Sequence, residues 1–179
     1  MLKKLFSIIL SISIYTGINA QNLVPADADS KIAFVIKNMG TNVEGTLKGL
    51  KGKISFNPKK PAASLFDVTV EVQTVDTDNK RRDDHLKRSD FFDVEKYPVI
   101  AIKTSSIQSK GNDIYFAKAV LTMHGISKNI QFDFIAKPVQ GGYNFKGTFS
   151  VDRKEFGIGG NSMTMGDNVK VNLDVIARK

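Results

Sequence analysis

No cysteine occurs anywhere in this chain. That absence removes disulfide staples, thiol nucleophiles and a lipid-modified N-terminal cysteine together, so an ordinary hydrophobic core must hold the fold. Histidine is nearly absent too, with His85 and His124 the only two. A metal site built on His85, His124 and Asp83 or Asp84 would draw on almost the entire stock, and no dense His/Asp/Glu group supplies further ligands. No serine or threonine stands in a nucleophilic arrangement. The run GIGG at 157–160 lacks the Lys and Ser/Thr of a phosphate loop and reads as a loop between strands. There is no linker and no long internal repeat, so 179 residues imply one domain. No apolar run reaches the roughly 20 residues of a membrane-spanning helix. The longest, at 5–14, follows Lys3 and Lys4 and leads into a polar stretch ending at Ala20. This is the layout of an export signal, expected to occupy 1–20 with cleavage before Gln21, which places the remaining domain, 21–179, in the periplasm or outside the cell.

Loss of Lys3 and Lys4 lowers the formal charge from +8 to +6. The remaining lysines are spread along the polar positions of strands rather than gathered in a patch, and an exported protein rarely meets nucleic acid. A solvated basic surface is expected, with no nucleic-acid partner.

What the chain has in abundance is alternation. Ile32, Phe34 and Ile36 share one face; so do Ile54 and Phe56, and Phe66, Val68, Val70 and Val72. Ile130, Phe132, Phe134 and Ala136 repeat the pattern, as do Tyr143, Phe145, Phe149 and Val151, and then Val169 to Ala177 at every second position. In the segment 114–124 the inward set is expected to be Tyr115, Ala117, Ala119, Leu121 and Met123, because the other parity would bury Lys118 without a partner. Residues 21–30 read as a short polar lead. Gly45, Gly49 and Gly52 inside one strand predict bulges where a sheet bends. About eight antiparallel strands result, an all-β chain that closes into a barrel or stacks as two sheets, and the even spacing and glycines favour the barrel. Eight strands enclose a space that side chains fill or one small ligand occupies.

Residues 79–98 break the alternation. Five basic residues, three acidic residues and His85 crowd into 80–90, followed by Phe91 and Phe92. One short helix is predicted, capped by Asp78 or Asn79 and supported by Asp83–Lys87 and Asp84–Arg88 pairs four apart. Leu86 and the phenylalanines would dock it on an apolar surface, and Pro98 would stop it. Arg82, Asp83, Asp84 and His85 are the only concentrated set of ionisable groups and could supply an acid and a base. A structural cap with ion pairs, or a polar group meeting the head of a ligand, accounts for them better.

Five segments together resemble the YceI-like family of bacterial exported proteins: SKIAFVIKNMG (30–40), GKISFNPKKPAAS (52–64), RDDHLKRSDFFDVEKYP (82–98), LTMHGISK (121–128) and FSVDRKEFGIG (149–159). Leu47 and Ile102 stand where the resemblance leads one to expect phenylalanine, and Ala119 where glycine is expected, which bears on the shape of the interior. The resemblance implies an eight-stranded, antiparallel, lipocalin-like barrel with one short helix between strands. It further implies a non-catalytic carrier whose ligand is an isoprenoid lipid, either a quinone tail or a polyprenyl lipid, with no other cofactor. On that reading Phe34, Ile36, Phe56, Val70, Phe132, Phe134, Phe145 and Phe149 line the cavity, while Arg82, Asp83 and His85 orient the head or close the barrel end. Transient membrane contact and a homodimer stay open. The competing readings are an enzyme acting on a lipid or hydroxylated substrate in the same barrel, and a stress or surface protein with a filled interior.

Overall fold

The computed structural model describes residues 20–179, and the apolar run expected to be an export signal lies outside the described residues. The strands are β1 (Gln21–Pro25), β2 (Lys31–Asn38), β3 (Thr41–Phe56), β4 (Leu65–Asp76), β5 (Val99–Gly111), β6 (Ile114–Met123), β7 (Ile126–Val139), β8 (Gly142–Asp152) and β9 (Met165–Arg178). One α-helix, α1 (Lys80–Leu86), interrupts them. Neighbours pair antiparallel in the order β3-β2-β9-β8-β7-β6-β5-β4, and β4 pairs back onto β3. Eight strands therefore close an antiparallel barrel, as the alternation and the glycines imply.

The expected polar lead at 21–30 is instead partly a strand. β1 joins the ends of β3 and β9, with Gln21 opposite Phe56 and Val24 opposite Arg178. Leu23 and Pro25 are the buried residues of this strand, and one aliphatic side chain beside a proline in a short polar segment leaves almost no period-two signal.

Tight two-residue turns close three hairpins. Met39-Gly40, Asn112-Asp113 and His124-Gly125 all take left-handed φ at both positions, the backbone that matches strand twist. The parity of β6 resolves as expected: Tyr115, Ala117, Ala119, Leu121 and Met123 are buried, and Lys118 faces solvent.

The β3–β4 seam is bulged near the glycines. Register shifts fall between Thr46 and Lys48 and between Lys48 and Lys51. Gly49 and Gly52 both have positive φ, at 73° and 128°. A Cβ on Gly52 would lie 2.2 Å from the Asp67 carbonyl oxygen, which is backbone and cannot move aside. Gly52→Ala is therefore expected to weaken the closing seam by about 2–4 kcal/mol, the range for strain at a special backbone position. A urea midpoint unchanged from wild type would contradict this.

The two ends of the barrel differ. At one end stand the tips of β2–β3 and β6–β7, α1 with the turns that follow it, and the segment 153–164. At the other end the strands enclose aromatic rings.

Candidate functional site

Rings fill the barrel at the end away from α1. Phe56 is 0% exposed and lies at the centre, with centroids 4.9 Å from Tyr143 and 5.2 Å from both Tyr115 and Phe145. Phe66 adds contacts to Phe145 at 5.0 Å and Phe134 at 5.5 Å. Edge-to-face pairs of this kind contribute about 0.5–1.5 kcal/mol each beyond their burial, so this half is a solid plug.

The other half is hollow. A cavity of about 220 Å³ runs from Ile54, Phe66 and Val175 toward α1. Its presence explains an otherwise odd pattern in burial. Ile36, Val68, Ile100, Val169, Val171 and Leu173 all point inward yet are only half-buried, because they face empty space rather than each other. Along β8 the wall runs from Phe145 to Val151, six residue steps or roughly 20 Å of strand. Allowing for barrel tilt, the depth is about 15 Å. Gly147 widens it: a Cβ there would come within 3.2 Å of Phe134 Cβ. Leu47 and Ile102, the two departures from expected phenylalanine, are both on the wall.

The wall is hydrocarbon in depth and polar at one end. Four of its polar residues, Asn38, Thr77, Arg82 and Arg153, belong to the end carrying α1; the fifth, Thr69, is on β4. Phe91, Phe92 and Leu86 line the same end, which is the docking surface the aromatic pair was expected to find.

Of the eight apolar residues expected to line the interior, Phe34, Ile36, Val70, Phe132, Phe134, Phe145 and Phe149 lie on the cavity wall. Phe56 does not. It shares their face but sits too deep, inside the aromatic plug. Among the polar three, Arg82 reaches the cavity and Asp83 and His85 do not. Asp83 accepts hydrogen bonds from the Thr77 backbone N–H (2.9 Å) and hydroxyl. Arg82 approaches the same threonine from the other side: its Nε donates to Thr77 Oγ1 at 2.7 Å and its Nη2 to the Thr77 carbonyl at 2.7 Å. Thr77 thus ties the helix to the end of β4 and leaves Nη1 of Arg82 without a protein partner among the described residues.

The helix itself departs from expectation in its ion pairs and its end. Asn79 caps it, accepting from the Arg82 N–H at 3.0 Å. The pairs Asp83–Lys87 and Asp84–Arg88 do not form, because Thr77 takes Asp83 and Lys80 takes Asp84 at 3.1 Å. Nor does Pro98 stop it. The chain turns after Leu86, with the carbonyls of Leu86, Lys87 and Arg88 accepting from Phe92, Val94 and Asp93.

His85 lies on the exposed side. Its Nε2 meets Asp90 Oδ2 at 2.9 Å and its ring stands edge-on to Phe91 at 4.7 Å. The His85 hydrogen bond holds the Asp90 carboxyl below the usual aspartate range. A carboxyl with a depressed folded pKa stabilises the fold above its unfolded value of about 3.9 and loses that contribution as pH falls through the lower, folded value. In His85→Ala the Asp90 titration, followed by carboxyl NMR, is expected to rise back toward the ordinary value; an unchanged midpoint would show that the bond is not its cause.

Arg153 is a site residue that no local sequence pattern marks. It is 2% exposed and lines the cavity. Its donors reach the carbonyls of Gly166 (2.9 Å), Ile158 (2.7 Å) and Gly160 (2.7 Å), and Asp167 Oδ1 at 3.1 Å. One side chain therefore shapes the whole 157–166 segment beside the cavity. His124 supports the same segment, its Nδ1 2.9 Å from the Phe156 carbonyl and its ring edge-on to Tyr97 at 4.9 Å.

Comparison with known proteins agrees with this geometry. The family model described as the YceI-like domain matches residues 24–177. The UPF0312 protein of Pseudomonas syringae pv. syringae is 33% identical over 144 residues, 75% of each chain. Among solved structures, BcnA of Burkholderia cenocepacia superimposes with a TM-score of 0.81, covering 87% of this chain and 99% of that one at 23% identity. A polyisoprenoid-binding domain from Saccharophagus degradans gives a TM-score of 0.70, covering 89% and 98% at 14% identity. These two likenesses are likenesses of fold.

Proposed function

This chain belongs to the YceI-like family, and from that premise we propose that it is a non-catalytic carrier of an isoprenoid lipid, either a quinone or a polyprenyl lipid, working in the periplasm after export. The observation that carries the reading is the cavity itself: a hydrocarbon-walled channel with four of its five polar residues at one end. A fold neighbour described as polyisoprenoid-binding points the same way. Each 100 Å² of tail taken from water contributes about 2.5 kcal/mol, so a tail of a few isoprene units drives binding with little help from its head. The free Nη1 of Arg82 would donate to an oxygen of that head, a quinone carbonyl or a phosphate. The lipid is the cargo, and no other cofactor enters the proposal.

The non-catalytic part rests on what the wall carries. Its polar residues are Asn38, Thr69, Thr77, Arg82 and Arg153, with no carboxylate, histidine or lysine among them. Asp83 and His85, the acid and base an enzyme would call on, are engaged by Thr77 and Asp90.

The test is extraction of the protein purified from cells, with mass spectrometry of the extract and titration with ubiquinone and polyprenol. A single bound isoprenoid is expected. Arg82→Ala is expected to weaken head binding about tenfold, the effect of one charge-assisted hydrogen bond. No co-purifying lipid and no uptake of either added lipid would overturn the carrier reading.

A further inference from the structure

The two most exposed large hydrophobic side chains among the described residues are Met163 (106%) and Met39 (78%). They lie on different loops, yet the loops are joined: the Met39 N–H donates to the Thr164 carbonyl at 2.8 Å. Both loops border the cavity, since Asn38 and Met165, each within two residues of an exposed methionine, are on its wall. Met39 also holds the first central position of its turn at φ 50°, where asparagine, aspartate or glycine is favoured. A methionine kept there against backbone preference, with its side chain in water, has no part in the fold's own packing.

Charge is excluded from the same two loops. Residues 157–166, GIGGNSMTMG, and 38–43, NMGTNV, contain no ionisable side chain, although a quarter of the chain is charged. Flanking them on the outer surface of β2 and β9 are Lys37 and Lys170, both exposed and without an ion pair among the described residues. Uncharged tips bearing apolar side chains, backed by unpaired cations, match the interface of an anionic bilayer, where apolar groups sink below the headgroups and lysines stay among them.

We propose that Met39 and Met163 insert together into an anionic phospholipid bilayer and seat the cavity mouth on its surface. The proposal rests on the lipid-carrier reading for its purpose, because a cargo that water does not dissolve must pass between bilayer and channel without crossing solvent. Insertion itself does not require cargo.

The chain has no tryptophan, so a single introduced indole reports its own surroundings. Residues 21–179 contain every strand of the closed barrel and are the form to use. Met39→Trp and Met163→Trp are placed in vesicles of phosphatidylethanolamine and phosphatidylglycerol, with Val139→Trp, at the hairpin of the opposite end, as control. Emission of the first two is expected to move to shorter wavelength and to be quenched by brominated acyl chains, while the control does neither. The double variant Met39→Ser/Met163→Ser is expected to lose vesicle binding at least about tenfold, the factor for one buried methionine. Lys37→Gln/Lys170→Gln should lose the salt-sensitive part. Equal emission at all three positions would overturn the proposal. So would vesicle-free association into dimers that the Ser/Ser variant abolishes, which would assign the prongs to a second copy of the chain. Uptake of a short-tailed quinone by the same variants in the absence of vesicles tests the carrier reading separately, so failure of one is distinguishable from failure of the other.

Discussion

Arg153→Ala is expected to lower the unfolding free energy by about 3–5 kcal/mol, because three backbone carbonyls would each lose a charged donor. The ion pair with Asp167 is not the main reason. Asp167 is more than a third exposed and also holds Lys154 at 2.7 Å, so its pairing contributes little. The loss falls on the carbonyls of Ile158, Gly160 and Gly166, which would lose a charged donor, at Ile158 in a buried position. For a domain of this size the melting temperature should fall by about 10 °C or more. Lys154→Ala, which removes only the exposed partner, should cost less than about 1 kcal/mol. Arg153→Lys should recover under half the loss, because an ammonium cannot serve in one geometry the carbonyls that the guanidinium fork spans. Denaturant melts of the three variants check the ranking, and a full rescue by lysine would refute the fork as the cause.

Arg153 also marks where sequence reading reaches its limit. In DRKEF it looks like one more charge in a surface run, because nothing local records that the glycine-rich segment after it turns its carbonyls inward. Tertiary demand, not spacing, selects it. The same holds for Asp83. Its spacing to Lys87 suits a helix pair, but Thr77 is closer in the fold and offers two donors. Alternation, by contrast, is a local property and survives intact: the inward faces of β4, β6, β7 and β8 are those the sequence predicts, including the choice forced by Lys118. What alternation lacks is depth. Phe56 and Phe149 face the same interior, one inside the plug and one on the cavity wall, and the difference depends on strand stagger and on the bulges at Gly49 and Gly52. Two glycines announce that a bulge exists without saying how far it slides the register.

Depth is also what distinguishes an empty barrel from a filled one, and Val171→Trp tests it directly. Val171 lies on β9 between Phe34 and Phe149, on the cavity wall and half-buried. An indole projecting from this position would occupy the route of a tail. If the space is real, the extra ring contacts Phe34 and Phe149 without displacing them, and stability should hold or rise by about 0.5–2 kcal/mol, as cavity-filling substitutions do. Binding of quinone or polyprenol should fall at least about a hundredfold, since a tail excluded from 100–150 Å² of wall forfeits roughly 2.5–4 kcal/mol. In a barrel packed solid by its own side chains the same substitution forces rings off their rotamers and costs about 1–3 kcal/mol. The two outcomes have opposite signs in stability, so a denaturant midpoint decides between them before any ligand is added. A variant that is more stable and no longer takes up lipid is the result that ties the hollow half of the barrel to its cargo.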